Sequence, residues 1–179
     1  MTRNTRQTIG SLLCAAQTGE DLPMTTPLEI GPEILSEVYA HARSGYPAEV
    51  VGFLLGPRDM SSVDEVHRCL NLQATEKAAR IIEDRGAETA YEVDSKETLM
   101  LAKSERAARQ VKVVYHSHPD GDAYFSDTDK RLALMEGEEP AYGWISYLVV
   151  SARGDGTCCA KLFRWEDRVR EFLCIAEYS

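Results

Sequence analysis

Two histidines that directly follow a β-branched run constrain this chain more than any other feature. The run Val111–Val114 is typical of a buried strand. His116 and His118 come at its end, and side chains two residues apart on an extended chain point to the same face. Loop-forming residues lead to a helix start near Ser126, which brings Asp129 back toward the two imidazoles. Two imidazoles and a carboxylate suit a zinc ion whose fourth position is open to water.

Each part of this pattern also has a simpler explanation. Ser126 and Asp129 have the spacing of a helix capping pair, which would by itself account for both. His116 and His118 could be two exposed strand residues. The chain holds four histidines, however, and two of them lie here. They stand between a buried strand and a polar loop, and such loops often carry binding and catalytic sites. The combination therefore favours a metal site.

Two other metal-binding patterns fit less well. His116, His118 and Asp120 match the opening of the metallo-β-lactamase pattern, but Gly121 stands where that pattern requires another histidine. A cupin site needs a histidine well downstream, and none follows His118. Neither pattern therefore finds in this chain the further histidine that it requires.

The spacing that does fit is His-x-His-Pro, six residues, Ser, two residues, Asp. All five specified positions match, at His116, His118, Pro119, Ser126 and Asp129. This resembles the signature of the JAMM (JAB/MPN-plus, Mov34-type) zinc metallopeptidases. Their upstream motif, Glu-x-x-Gly-hydrophobic-Leu-hydrophobic-Gly, matches residues 49–56. The resemblance covers about residues 28–175, and Phe125 departs from it, because many members carry proline there.

The resemblance implies both a fold and a mechanism. The fold is a single α+β domain of the JAB/MPN type, a curved mixed β-sheet flanked by helices in a layout like that of cytidine deaminases. The order of predicted elements, with strands and helices mixed and hairpins present, also indicates α+β. The implied ligands of Zn²⁺ are His116, His118 and Asp129. Glu49 is the implied general base for the zinc-bound water, and Ser126 the implied donor to the oxyanion.

The resemblance also implies a protein substrate. JAMM enzymes cleave peptide or isopeptide bonds after the C-terminal tail of ubiquitin-like proteins, and small bacterial members act on ubiquitin-like sulfur carriers ending in Gly-Gly. The implied partner is therefore a ubiquitin-like or sulfur carrier protein with a Gly-Gly C-terminus. Two alternatives stay open: a deconjugating isopeptidase of a bacterial ubiquitin-like conjugation system, and a non-catalytic MPN scaffold. The family resemblance also leaves a homodimer open.

Length and composition limit the number of domains, the class of partner and the state of the cysteines. At 179 residues the chain is long enough for one domain with a full core. The net charge of −9 argues against a nucleic-acid partner, and no apolar run approaches the length of a membrane span. Five cysteines with no Cys-x-x-Cys pair do not suggest a disulfide framework, so free thiols in the cytoplasm are expected.

The chain divides into a short tail and one domain. Residues 1–26 are predicted to be a flexible tail, and residues 27–179 the metallopeptidase domain. Residues 73–89 are charged and lack a strand period, which indicates a loop or a short helix. Because loops beside a catalytic groove often select substrates, this segment is a candidate substrate contact.

Three helices are predicted. The first begins at Pro32 and ends near Gly45; His41 falls off its apolar stripe. Like His67, which lies among charged residues, His41 is therefore predicted to be solvated. The second helix runs from about residue 95 to 109, and the third from 127 to 135. The residues of these two helices predicted to face the core are Leu99, Ala102, Leu132 and Met135.

Overall fold

A computed structural model describes residues 28–72, 93–135 and 137–179. These residues form three helices and eight strands. In chain order they are β1 (Glu29–Ile30), α1 (Pro32–Gly45), β2 (Val51–Pro57), β3 (Ser62–Val63), β4 (Glu65–Cys69), α2 (Ser95–Ser104), β5 (Arg109–Pro119), α3 (Asp127–Leu134), β6 (Ser146–Ala152), β7 (Cys158–Glu166) and β8 (Glu171–Tyr178). The predicted tail at 1–26 and the predicted substrate contact at 73–89 lie outside the described residues.

Six of the strands form one mixed sheet in the order β4-β2-β5-β6-β7-β8. Only the β5–β6 pair within this sheet is parallel, and the other neighbouring strands pair antiparallel. Outside it, β1 and β3 form a short parallel pair. Helices and a mixed sheet in one domain confirm the predicted α+β class.

Helices cover both faces of this sheet, and each face has its own apolar core. On one face, Val38 and Ala42 of α1 pack in a cluster with buried residues of β2, β5, β6 and β7. On the opposite face, Leu101 of α2 and Ala133 of α3 belong to a second cluster, which includes Phe125. We call these the α1 face and the α3 face. Because side chains alternate along a strand, β5 can contribute to both.

Close approach of other groups explains the two glycines of the residue 49–56 motif. A Cβ atom at Gly52 would meet the Tyr115 ring and the His67 carbonyl, and one at Gly56 would meet the Ser62 carbonyl. Tyr115 lies across Gly52 because its hydroxyl reaches α1, where it is 2.8 Å from Nδ1 of His41. The motif is therefore partly a packing requirement of β2.

The predicted solvation of His41 and His67 is wrong. His41 is half-buried, and this burial, together with the charge of Arg68, lowers its pKa to about 4. His67 is also half-buried: its ring stacks on Phe53, and its Nε2 lies 2.8 Å from Glu97. In both cases the partner comes from a distant part of the chain.

The predicted inner faces of α2 and α3 are also wrong. The side chains expected in the core are exposed, at Leu99 (52%), Ala102, Leu132 (45%) and Met135 (62%). The second helix ends at Ser104 rather than near residue 109, and it packs through Leu101 and Ser104. The third buries Asp129 and Ala133, four residues apart, so its inner face includes a carboxylate.

Two further observations concern the predictions about cysteines and membrane spans. The four cysteines in the described ranges are free, as predicted. No helix within those ranges has both the length and the apolar character needed to cross a membrane.

We predict that Leu148→Ala will destabilise the protein far more than Leu132→Ala. Leu148 of β6 is fully buried, so its truncation should lower the free energy of unfolding by about 2–5 kcal/mol. Leu132 points to solvent on α3, so its truncation should change that free energy by less than about 0.5 kcal/mol. Urea denaturation of both variants measures the difference, and a comparable loss in both would contradict the assignment of the α3 inner face.

Candidate metal centre

The end of β5 presents two imidazoles on the α3 face. His116 is fully buried, and its Nε2 lies 3.1 Å from Nε2 of His118. Asp129, in the first turn of α3, places Oδ1 3.2 Å from Nε2 of His116 and Oδ2 3.7 Å from Nε2 of His118. The three predicted metal ligands therefore converge, with one donor atom from each within 4.8 Å of the others.

A capping box at the start of α3 fixes the orientation of Asp129. The Ser126 backbone N–H and hydroxyl both donate to Oδ2 of Asp129, at 2.8 and 2.7 Å. In return, the Asp129 N–H donates to the Ser126 hydroxyl at 3.1 Å. The capping explanation of these two residues is correct, and it is compatible with a metal site because Oδ1 still faces the imidazoles.

The loop after β5 fixes the tautomer of His118. Its Nδ1 lies 3.1 Å from the backbone carbonyl oxygen of Asp122, which can only accept a hydrogen bond. Nδ1 therefore carries the proton, and Nε2 keeps a lone pair that faces the other two donors. This loop is anchored to the end of β6, because Ser151 donates to the Gly121 carbonyl at 2.6 Å and Arg153 pairs with the Asp122 carboxylate at 2.8 Å. A histidine held in this way is typical of metal ligands.

The protonation states of His116 and Asp129 fit a divalent cation. Burial alone would lower the pKa of His118, but Asp129 outweighs burial and raises it, so a cation at Nε2 would compete with a proton there. Burial lowers the pKa of His116, which favours the neutral imidazole. Burial alone would raise the pKa of Asp129, but the neighbouring imidazoles of His116 and His118 outweigh it and hold that pKa well below its usual range. Neutral imidazole and ionised carboxylate are the forms in which these side chains ligate metals, and a nitrogen and oxygen donor set is one that zinc accepts.

Glu49 lies just before β2 and shares an open groove with this group. The groove has a volume of about 580 Å³, and Glu49, His118, Ser126 and Asp129 are among the residues that line it. Burial raises the pKa of Glu49 to about 7; the charge of His118 opposes this increase, and that of Asp129 adds to it. A carboxyl group with a pKa near neutrality can both accept and release a proton at physiological pH.

Hydrogen bonds hold the main chain of Glu49 from two sides. The Asn71 side chain donates to the Glu49 carbonyl at 2.9 Å. The next residue, Val50, donates its N–H to the Ser117 hydroxyl at 3.0 Å, and its carbonyl accepts from the Ser117 N–H at 3.0 Å. The Glu49 carboxyl group is therefore attached to a fixed segment of backbone.

Four of the five predicted site residues line this groove, and the fifth, His116, lies buried against His118 and Asp129; their chemical roles stay predictions. Asp120, predicted to be a loop residue, accepts hydrogen bonds from the Tyr46 hydroxyl at 2.6 Å and the Gly154 N–H at 3.0 Å. The supporting roles of Asn71, Ser151 and Arg153 were not predicted. None of the three belongs to a local sequence motif. Each makes its contact with a residue that is distant in the chain, so only the folded structure reveals it.

Comparisons with known proteins agree with this geometry. Residues 32–166 match the family described as prokaryotic homologs of the JAB domain. The chain is 29% identical to the desampylase of Haloferax volcanii over 156 residues, which cover 84% of this chain and 96% of that protein. It is 33% identical to the CysO-cysteine peptidase of Mycobacterium bovis over 127 residues, 70% of this chain and 74% of that protein. A solution structure of a protein from Desulfitobacterium hafniense superposes with a TM-score of 0.56 at 27% identity and covers 81% of this chain and 87% of that one.

We predict that Asp129→Ala will reduce bound metal at least about tenfold, because it removes the only charged donor of the group. Metal content per chain, measured by mass spectrometry after zinc loading and dialysis, tests this. The matched control is Asp127→Ala, two residues away, whose side chain is 97% exposed and should leave the content unchanged. Unchanged zinc in Asp129→Ala would show that the third ligand is misassigned.

Proposed function

This chain belongs to the prokaryotic homologs of the JAB domain, and from that premise we propose that it is a zinc-dependent peptidase acting on the C-terminal tail of a ubiquitin-like protein. Family membership confirms the predicted resemblance to the JAMM metallopeptidases and makes the chain a hydrolase of that type. The observation that carries the proposal is the convergence of His116, His118 and Asp129 at the wall of a groove that Glu49 also lines. The scaffold alternative loses support because both relatives carry the names of enzymes.

The proposed zinc ligands are His116, His118 and Asp129. When bound, zinc supplies Lewis-acid activation of a water molecule, whose pKa it lowers toward about 7. A cation at this position would also lower the pKa of Glu49 from the raised value that burial gives it, which favours the ionised, proton-accepting form.

Glu49 is the proposed general base. It would take the proton from the attacking water and then deliver it to the nitrogen of the leaving amine, so that one carboxyl group serves both steps. Its position in the groove beside His118 and Asp129 supports this role. The fixed main chain supports it further, because proton transfer requires heavy atoms within hydrogen-bond distance.

Ser126 is the proposed donor to the tetrahedral oxyanion that forms when water attacks an amide carbonyl. In the structure its hydroxyl donates to Oδ2 of Asp129, so donation to an oxyanion requires the hydroxyl hydrogen to turn away from Asp129 by rotation about the Cβ–Oγ bond. Asp129 would still be held by the Ser126 backbone N–H during such a rotation. The residue can therefore support the metal ligand and also serve the reaction.

The proposed substrate is a ubiquitin-like or sulfur carrier protein with a Gly-Gly C-terminus, located with the enzyme in the cytoplasm. One relative is a desampylase and the other a CysO-cysteine peptidase, and this pair supports a small carrier protein as the substrate class. A tail of two glycines has no side chains, so it can lie extended in a groove and be recognised mainly through its backbone. The alternative within the same chemistry is a deconjugating isopeptidase, and the CysO-cysteine peptidase favours the carrier-processing activity.

We predict that the zinc-loaded protein will release cysteine from a ubiquitin-like carrier whose Gly-Gly tail is extended by one cysteine through a peptide bond. The same carrier joined to a lysine side chain serves as the isopeptide substrate. Mass spectrometry of the products distinguishes the two, and faster cleavage of the isopeptide would favour the deconjugating alternative. Failure of a zinc-loaded protein to cleave either substrate would overturn the proposal.

Glu49→Gln in the same assay should keep its zinc and lose activity, because an amide cannot accept the proton. Glu138→Gln, a charge-matched change at a side chain that is 96% exposed, should behave as wild type. Near-normal turnover by Glu49→Gln would remove Glu49 from the role of base.

We predict that Ser126→Ala will lower turnover by about ten- to a thousandfold while the protein keeps most of its zinc. The physical reason is the loss of one hydrogen-bond donor to the oxyanion. Ser126→Thr retains a hydroxyl and should recover much of the activity. If zinc and activity instead fall together in Ser126→Ala, the serine acts only by holding Asp129.

A further inference from the structure

A second group of metal-type side chains lies on the α3 face, outside the proposed catalytic centre. In the described part of the chain, two groups of histidine, cysteine and carboxylate residues bring their donor atoms within 4.8 Å of one another. One is the His116 group, and the other consists of His67, Cys69 and Glu97. Nothing in the proposed peptidase mechanism uses this second group.

Strand alternation and a helix start bring these three side chains together. His67 and Cys69 are two residues apart on β4, so they point to the same face. Glu97 lies in the first turn of α2, and its Oε2 is 2.8 Å from Nε2 of His67. The His67 ring stacks on Phe53, with centroids 6.0 Å apart and planes at 19°, which fixes the ring plane, and the donor atoms of the three residues lie within 4.8 Å of one another.

We propose that His67, Cys69 and Glu97 form a second binding site for a divalent, thiol-preferring cation of the zinc type. Imidazole nitrogen, sulfur and carboxylate oxygen are the three donor classes that zinc takes in proteins. In the metal-free protein Nε2 of His67 donates its proton to the Glu97 carboxylate. As the metal binds, the Cys69 thiol would lose its proton to solvent and the Nε2 proton of His67 would be replaced by one on Nδ1, so that Nε2 contributes its lone pair. One thiolate and one carboxylate then balance the two positive charges, which suits a half-buried site.

Burial and access are both compatible with this site. Cys69 is 7% exposed and forms no disulfide, so its sulfur is available as a ligand and protected from bulk solvent. The side chains of His67 and Glu97 are 33% and 22% exposed, which leaves a route by which a cation and a water ligand can enter. Burial, with a smaller contribution from Glu97, raises the pKa of the Cys69 thiol, and a metal is the kind of group that overcomes this cost.

The sheet register places this site beside the strand that presents Glu49. Cys69 pairs with Val51 on β2, and Val51 pairs with His116 on β5, so Cys69 and His116 lie in one row across three strands. Two strand spacings separate them by about 10 Å. Two residues beyond Cys69, Asn71 donates to the Glu49 carbonyl. A cation here would tie β4 to α2 and hold the anchor of Glu49.

Cobalt titration of the full-length, metal-stripped protein tests this proposal independently of peptidase activity. Co²⁺ replaces Zn²⁺ in such sites, and a thiolate ligand gives a near-ultraviolet sulfur-to-cobalt charge-transfer band. Because the catalytic group has no sulfur donor, this band reports only the second site. Wild type should bind two equivalents and show the band, whereas His118→Ala should bind about one fewer and keep it.

Variants of the second site should give the opposite pattern. Cys69→Ser should lose the band and about one equivalent, while Cys174→Ser, at an exposed free cysteine, should retain both. If Cys69→Ser fails to fold by circular dichroism, His67→Gln provides the same test, with loss of one equivalent and a weakened or shifted band expected. A wild-type protein that binds one equivalent without the band, or a band that survives in Cys69→Ser, would overturn the second site.

Discussion

The parallel pairing of β5 with β6 is the constraint on which the candidate metal centre depends. Parallel neighbours cannot be joined by a tight turn, so the chain must leave the sheet and cross over its face before it returns. Here the crossover between Pro119 and Ser146 contains α3, which packs on the α3 face. The start of that helix lies over the end of β5, where His116 and His118 project. One strand pairing therefore brings a carboxylate to two histidines.

Asp129 shows how a structural role and the proposed role of metal ligand can share one side chain. Its Oδ2 accepts two hydrogen bonds from Ser126 and completes the capping box, while its Oδ1 faces His116. The cap fixes the carboxylate before any metal binds, and this lowers the entropic cost of ordering the side chain when metal binds. The buried charge is tolerated because both oxygens have hydrogen-bonding partners or face an imidazole.

The sequence was most informative where one local pattern determines the geometry. The spacing of His116, His118 and Asp129 predicted their convergence, since strand alternation and a helix start fix it within about 14 residues. The burial of His41 and His67 could not be predicted in this way, because Tyr115 and Glu97 come from distant elements. The prediction of which residues of α2 and α3 face the core was wrong for a related reason. Periodicity shows that a helix has an apolar side, but packing against the rest of the fold decides which side is covered. The group of His67, Cys69 and Glu97 has no local sequence motif, because Glu97 comes from an element distant from β4.

The position of β2 in the sheet explains why Glu49 can be half-buried and still have its backbone held by hydrogen bonds on both sides. β2 lies between β4 and β5, so its start is anchored on one side by Asn71, just beyond β4, and on the other by Ser117 of β5. Glu49 lies two residues before the first paired residue of β2, where its side chain reaches the groove while hydrogen bonds hold its backbone. A proton-transfer group gains most from such a frame, because a displacement of about 1 Å can cost about a hundredfold in rate. The sheet therefore positions Glu49 and the two histidines, and the crossover brings Asp129 to the same groove.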